Sequence, residues 1–261
     1  MGQHGRRTGG RARGSRAGSM TWSILARDPE TGTLGVAVAT RFFAVGALCP
    51  HVEGRVAALS TQALMNPMYA IEGMAMLRQG RPAPEVAAAL TAADAGRESR
   101  QVHILDADGR VAQHTGSGCV PWAGSVVGHD CSVAGNMLAG PQVVEATVRA
   151  YEAAAAEGVE MAERLLRALE AGEAAGGDAR GRQSAALKVA SKDPYADLDL
   201  RVDDHAAPIA ELRRLFRRSK ARYAVFRRFL AGPDHPGTFD RAVITAAVES
   251  EGTPNDDVPG S

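Results

Sequence analysis

Strand-forming and helix-forming runs do not alternate along this chain; they arrive in blocks. β-rich runs are expected at Thr21–Arg27 (TWSILAR), at Leu34–Thr40 (LGVAVAT) and over residues 55–62 (RVAALSTQ). Two Ala-rich helices follow, over 67–79 and 84–93, with Pro82 and Pro84 near the start of the second, where proline is tolerated. A second block of strands is expected over 101–106, 110–115 and 125–133, and a second helix pair over Gln142–Ala156 and 159–171. Strands at Ser184–Ala190 and Leu198–Val202 precede the longest expected helix, 208–230. Its Leu212, Phe216, Ser219, Tyr223, Phe226 and Leu230 step by fours and threes along one stripe. Blocks of this kind favour an α+β fold, with stacked antiparallel sheets covered by helix layers, over an alternating parallel sheet. No GxGxxG or P-loop motif stands at a strand–helix junction.

Turn chemistry supports the strand pairs. Asp28-Pro29-Glu30-Thr31-Gly32 joins the first two runs into a hairpin, and Ala107-Asp108-Gly109 does the same later. The composition changes at Met20. Residues 1–19 are Gly, Arg and Ser with almost nothing apolar, which predicts a disordered leader or a mis-assigned start. The leader lacks the apolar segment of a secretory signal. The working domain is expected over 20–232, and the Pro-, Gly- and Asp-rich segment 233–261 as a loosely ordered tail. With 261 residues, 45% of them hydrophobic, the chain can build one large core. Thirty basic residues balance thirty acidic ones, which argues against a globally basic nucleic-acid binder. No apolar run approaches the roughly 18–20 residues that span a bilayer. Cys49, Cys119 and Cys131 are odd in number and widely spaced, which supports neither a disulfide framework nor a zinc site and fits a reducing cytoplasm.

Met20-Thr21 opens the first strand. Methionine aminopeptidase removes Met before a small residue such as Thr. The freed Thr would carry a hydroxyl and an α-amine with a pKa of about 8, able to act as base for its own side chain. Asn136 ends a strand run, where its amide can donate to an oxyanion or simply shape a turn. The glycines of Gly176-Gly177-Asp178-Ala179-Arg180-Gly181-Arg182-Gln183-Ser184 let a ligand approach the backbone. Asp178 and Arg180 there could hold a substrate amine and carboxylate or staple the loop, with Gln183 and Ser184 beside them. Thr61 and Gln62 end the third strand, facing the same mouth or the core. Asp203-Asp204-His205 has no spaced third ligand, so a helix start facing Pro208 is the ordinary reading and no metal is expected. His103, His114 and His129 are expected in strands as structural residues. Gly116-Ser117-Gly118-Cys119 does not match the G-x-S-x-G elbow. The arginines of 208–230 form either a solvated face or a surface for an anionic partner or second subunit.

The segments MTWSILARDPETGTLGVAVAT, FFAVGALCP, STQALMNPMY, RQVHILDADG, TGSGCVPWAG, VAGNMLAGP, AGGDARGRQSAAL and DLRVDDH occur in this order from Met20 onward. Together they resemble domain-of-unknown-function family 1028, which belongs to the Ntn-hydrolase-like superfamily (N-terminal-nucleophile aminohydrolases). The resemblance implies a four-layer αββα sandwich of two antiparallel sheets. It implies too that the nucleophile sits at the start of the first strand, the place Thr21 occupies. In one respect the chain departs from that pattern: nineteen residues precede Met20, and with them attached Thr21 has an amide nitrogen instead of an amine.

Two functions follow as expectations. The first is an amidohydrolase acting through Thr21 on a small-molecule or peptide-like amide, with Asn136 at the oxyanion and no cofactor. The second is a catalytically silent small-ligand-binding protein of the same fold, using the 176–184 loop. Neither involves nucleic acid or membrane, and both leave a homo-oligomer open.

Overall fold

The first hairpin sets the frame. Asp28 accepts hydrogen bonds from the backbone N–H groups of Glu30 and Thr31, each at 3.0 Å, and so closes the turn. Strand β1 (Thr21–Arg27) then pairs with β2 (Leu34–Thr40) along its whole length, from Thr21 opposite Thr40 to Arg27 opposite Leu34. The computed structural model describes residues 21–178 and 180–252, so the expectations for residues 1–20 and for the last nine residues lie outside it. Among the described residues it is a mixed α/β fold with two antiparallel sheets and seven helices.

The remaining strands are β3 (Pro50–Glu53), β4 (Ala57–Ala63), β5 (Arg100–Asp106), β6 (Val111–Thr115), β7 (Gly124–Gly128), β8 (Cys131–Asn136), β9 (Ser184–Ala190) and β10 (Leu198–Val202). The larger sheet runs β10-β9-β2-β1-β8-β7 and the smaller β3-β4-β5-β6. Every pairing is antiparallel. The helices are α1 (Met68–Arg78), α2 (Ala83–Ala93), α3 (Gln142–Ala156), α4 (Met161–Ala174), α5 (Pro208–Ser219), α6 (Arg222–Arg227) and α7 (Arg241–Glu251).

Alternation along each strand sorts the side chains into two faces. From the larger sheet, Trp22, Ile24, Ala26, Ala37, Ala39, Val133 and Leu187 join Val144, Tyr151, Leu165, Leu166, Leu169, Leu212 and Phe216 of α3, α4 and α5 in one apolar cluster. From the smaller sheet, Ala57, Leu59, Val102 and Ile104 join Tyr69, Met74, Leu77, Val86 and Leu90 of α1 and α2. The two sheets meet through their other faces: β1 contacts β4 and β5, and β8 contacts β5. Both faces of β1 and β2 are therefore covered, and the two strands are almost wholly buried.

Several elements differ from the sequence-based expectations. The expected strand over 125–133 is two strands, β7 and β8, turning at His129 and Asp130, where Asp130 has φ of 54°. His129 thus lies in a turn and not in a strand. A four-residue strand, β3, precedes the one expected over 55–62; it is short and only partly buried, so it carries little periodic signal. The helix expected over 208–230 breaks between α5 and α6. Ala221 is buried there in a non-helical conformation, and the change of direction leaves Tyr223 and Phe226 43% and 45% exposed. The apolar stripe ends with α5 because α6 packs against α7. The tail expected to be loose forms α7, capped by Asp240, whose carboxylate accepts from the N–H of Ala242. On the arginine-rich surface of α5 and α6 several of the arginines form ion pairs within the chain. Arg213 pairs with Glu163 and Glu170, Arg214 with Glu211, Arg227 with Asp197 and Arg228 with Glu251. No helix among the described residues is long and apolar enough to cross a membrane.

Candidate functional site

One row of polar residues crosses the larger sheet at its Thr21 end. Thr21 lies opposite Thr40 on one side and opposite Asn136 on the other, and Thr40 lies opposite Ser184. Directly opposed residues project to the same face, and here it is the face turned toward the smaller sheet, shared with Ser23 and Leu25. All four residues are buried; Thr21 is 2% exposed. The Thr21 hydroxyl donates to Thr40 Oγ1 at 3.3 Å.

Behind this row the space between the sheets holds a connected polar chain. Gln101 Oε1 accepts from Asn136 Nδ2 at 3.0 Å and from Gln62 Nε2 at 2.8 Å. The Gln101 amide is fixed in turn, its Nε2 donating to Gly135 O and Thr115 Oγ1, each at 2.9 Å. Ser23 Oγ donates to Gln62 Oε1 at 2.7 Å and lies 2.8 Å from His103 Nε2. Ser132 Oγ lies 2.8 Å from His103 Nδ1 and accepts from Gln113 Nε2. A serine hydroxyl has one proton. Since Ser23 gives its own to Gln62, His103 Nε2 carries the hydrogen and donates to Ser23, while Nδ1 accepts from Ser132. Burial pulls the His103 pKa down to about 3, so the ring is neutral near physiological pH.

The 178–184 loop closes one side of the row. Asp178 is 6% exposed and forms a bridge with Leu138 just beyond β8. Its carboxylate accepts from the backbone N–H of Arg41 and of Arg180, each at 2.8 Å, with Arg180 Nη2 at 3.4 Å. These bonds staple the loop to the residue after Thr40 and occupy the carboxylate that sequence reasoning offered to a substrate amine. Gln183 donates from its backbone to Thr40 O and from Nε2 to Asp204 Oδ1. Ser184 Oγ donates to Phe42 O and accepts from Val45 N. Thr61 stands apart: it faces away from the larger sheet, and its hydroxyl donates to Asn66 O.

Thr21, Asn136, Gln62, Asp178, Gln183 and Ser184 thus gather at one end of the larger sheet, with Arg180 on the rim. Sequence reasoning missed Thr40, Gln101 and Ser23. The hairpin register held the signal for Thr40, because a turn centred on Asp28–Thr33 sets Thr21 opposite it. Polar alternation in β5, where Gln101 and His103 flank Val102, was the signal for the interior chain.

Other candidates are occupied elsewhere. Asp203 pairs with Arg201, and His205 Nδ1 accepts from Ala207 N at the start of α5, so the aspartates leave that helix uncapped. Among the described residues no cluster of metal-ligating side chains occurs. Burial raises the Cys119 pKa, and its thiol donates to Arg100 O at 3.3 Å.

The model of the family described as "Family of unknown function (DUF1028)" matches residues 21–212, beginning at the first residue of β1. The crystal structure of protein SPO2555 from Silicibacter pomeroyi, described with the same family, is similar with a TM-score of 0.77 and 32% identity. The match covers 84% of this chain and 94% of that one. No curated protein matches the chain. By the extent of these matches, the chain belongs to the DUF1028 family.

Proposed function

We propose that the two sheets and their helices form the αββα sandwich of the Ntn-hydrolase-like superfamily, and that the protein is an amidohydrolase with Thr21 as nucleophile. The observation that carries this reading is the polar row: a threonine opens the first strand of a buried sheet, with Asn136 directly opposite and a hydroxyl partner, Thr40, on the other side.

Once the residues before Thr21 are removed, its α-amine is a base beside its own Oγ. The amine takes the hydroxyl proton as Oγ attacks the substrate carbonyl. Asn136 Nδ2 gives one hydrogen to Gln101, and its second is the donor for the oxyanion. The amine returns the proton to the leaving nitrogen as the C–N bond breaks. Water then attacks the Thr21 ester, losing a proton to the same amine; the acyl C–Oγ bond breaks, the amine returns that proton to Oγ, and the acid is released. No cofactor enters these steps.

The experiment combines intact mass with an electrophilic probe for N-terminal threonine. Protein with a free Thr21 amine should be labelled at Thr21. Thr21→Ser should retain some turnover, and Thr21→Ala none, with unchanged melting. Protein verified by mass to retain its leader, yet turning over an amide as fast as the trimmed form, would show that the mechanism is wrong. The burial of Thr21 favours a second reading, a binding protein of the same fold, for which a leader retained in every preparation is the expected mass.

A further inference from the structure

A cleft of about 540 Å³ opens beside the row, lined by Arg41, Gly181, Arg182, Gln183, Asp204 and His205. It adjoins Thr40 through Arg41, the next residue, and Ser184 through Gln183. Arg41 is exposed, yet two hydrogen bonds tether it, and Gly181 lies close beside its guanidinium. Its backbone N–H donates to Asp178. Its guanidinium donates to Arg180 O. Gly181, with φ of 107°, packs where any Cβ would come within 3.1 Å of Arg41 Nη1. No carboxylate pairs with Arg41 among the described residues. Arg182 lies 2.6 Å from Glu173, in a contact not aligned as a hydrogen bond. Asp204, the one acid of the lining, accepts from Gln183. A surface arginine is ordinarily a mobile, solvated charge; here a hydrogen bond to the loop restrains the guanidinium, and no ion pair among the described residues occupies it.

We propose that this cleft binds the carboxylate of the substrate, so that the amide presented to Thr21 belongs to an N-acyl amino acid or a peptide with a free C-terminus. A guanidinium restrained in advance loses less freedom on forming the two parallel hydrogen bonds that a carboxylate accepts. The choice of scissile bond rests on the Thr21 reading; the binding of the carboxylate does not.

The test uses full-length Thr21→Ala protein, so that binding is measured without turnover. A panel of N-acetyl amino acids and their C-terminal amides, which differ only in the anionic group, is titrated by NMR against 15N-labelled protein. The acids should bind at least tenfold more tightly than the amides and shift the amides of residues 41, 181, 183 and 205. The preference should weaken with salt and disappear in Arg41→Gln, with Arg182→Gln reducing it partly. Equal binding of acids and amides, absence of binding across the panel, or a preference that survives Arg41→Gln overturns the proposal. If freed Thr21 proves inactive while the carboxylate preference holds, the hydrolase reading fails and this one stands.

Discussion

The two sides of the larger sheet are built from the same strands and are opposite in character. Toward α3, α4 and α5 the sheet presents Trp22, Ile24, Ala37, Val133 and Leu187 to a continuous apolar cluster. Toward the smaller sheet, apolar contact is confined to Leu25, Val36, Ala58 and Leu105 near the hairpin and a small group around Val38 and Cys49. Much of the rest of that interior is polar: Ser23, Gln62, Gln101, His103, Ser132 and Asn136 form one hydrogen-bonded chain, and Thr21 bonds Thr40 beside it. Apolar contact is non-directional and supplies stability in proportion to buried area. A buried hydrogen-bond chain adds less net stability, but only one arrangement satisfies it. The helix side therefore holds the sheet together, and the inner side holds particular side chains in particular places.

The largest effect should come from the helix side. Leu165 is fully buried in α4, and its Cδ1 lies 2.7 Å from where a Cβ on Gly35 would be, so helix and sheet are in close contact. Leu165→Ala should cost about 2–5 kcal/mol, since a tightly packed site relaxes poorly around a cavity. Chemical denaturation measures this; a loss under 1 kcal/mol would mean that the helix layer is not the stabilising one.

On the inner side, Gln62→Leu should cost about 1–3 kcal/mol by removing the acceptor of Ser23 and a donor to Gln101. Here the more telling readout is the site. Loosening Gln101 frees the Asn136 amide, so any turnover should fall by more than the stability loss explains. Equal effects of Leu165→Ala and Gln62→Leu on the site would erase the distinction between the two sides.

His103 gives the inner side a pH dependence. Its folded pKa, about 3, is far below that of the exposed ring in the unfolded chain. The unfolded state therefore binds the extra proton between the two values. Stability contributed by the neutral ring is complete above the unfolded pKa and is lost as pH falls toward about 3, at no more than about 1.4 kcal/mol per pH unit. His103→Gln should flatten the stability curve between pH 6 and pH 4 (roughly the window set by an unfolded value of about 6.5). An unchanged slope in that variant would assign the acid sensitivity to carboxylates.

The helix side was the more legible in the sequence. The stripe through Val144, Val148 and Tyr151 predicts α3 to the residue, and β1, β2, β9 and β10 follow from β-rich runs bounded by turn residues. The inner side was legible only by position. Thr21 and Asn136 stood out as strand-end polar residues, but nothing local brings Gln101 to Asn136; that contact depends on how two sheets stack, which periodicity within one strand does not encode. The same limit explains Asp178. Its carboxylate looked available because its acceptor role toward Arg41 N depends on a loop meeting the residue just after β2, 137 positions earlier. The β7–β8 turn was hidden because Val126, Val127 and Val133 make an apolar run that the polar pair His129-Asp130 interrupts only briefly.

The smallest effect should come from α7, which belongs to neither side. It begins after the family match ends and buries no residue fully, and it packs mainly against α6. Its ion pair with α6, Arg228–Glu251, has both partners about half exposed, and such pairs contribute about 0–1 kcal/mol. Deleting residues 239–261 keeps the hydrogen bond from Thr238 N to Phe229 O, which anchors the segment after α6. The deletion should therefore change stability by less than about 1 kcal/mol. It should leave both the Leu165→Ala and the Gln62→Leu effects intact, because changes more than about 10 Å apart with no shared partner add. Non-additivity with Leu165→Ala would place α7 in the helix layer, through the path α6–α5–α4 that the break at Ala221 otherwise interrupts.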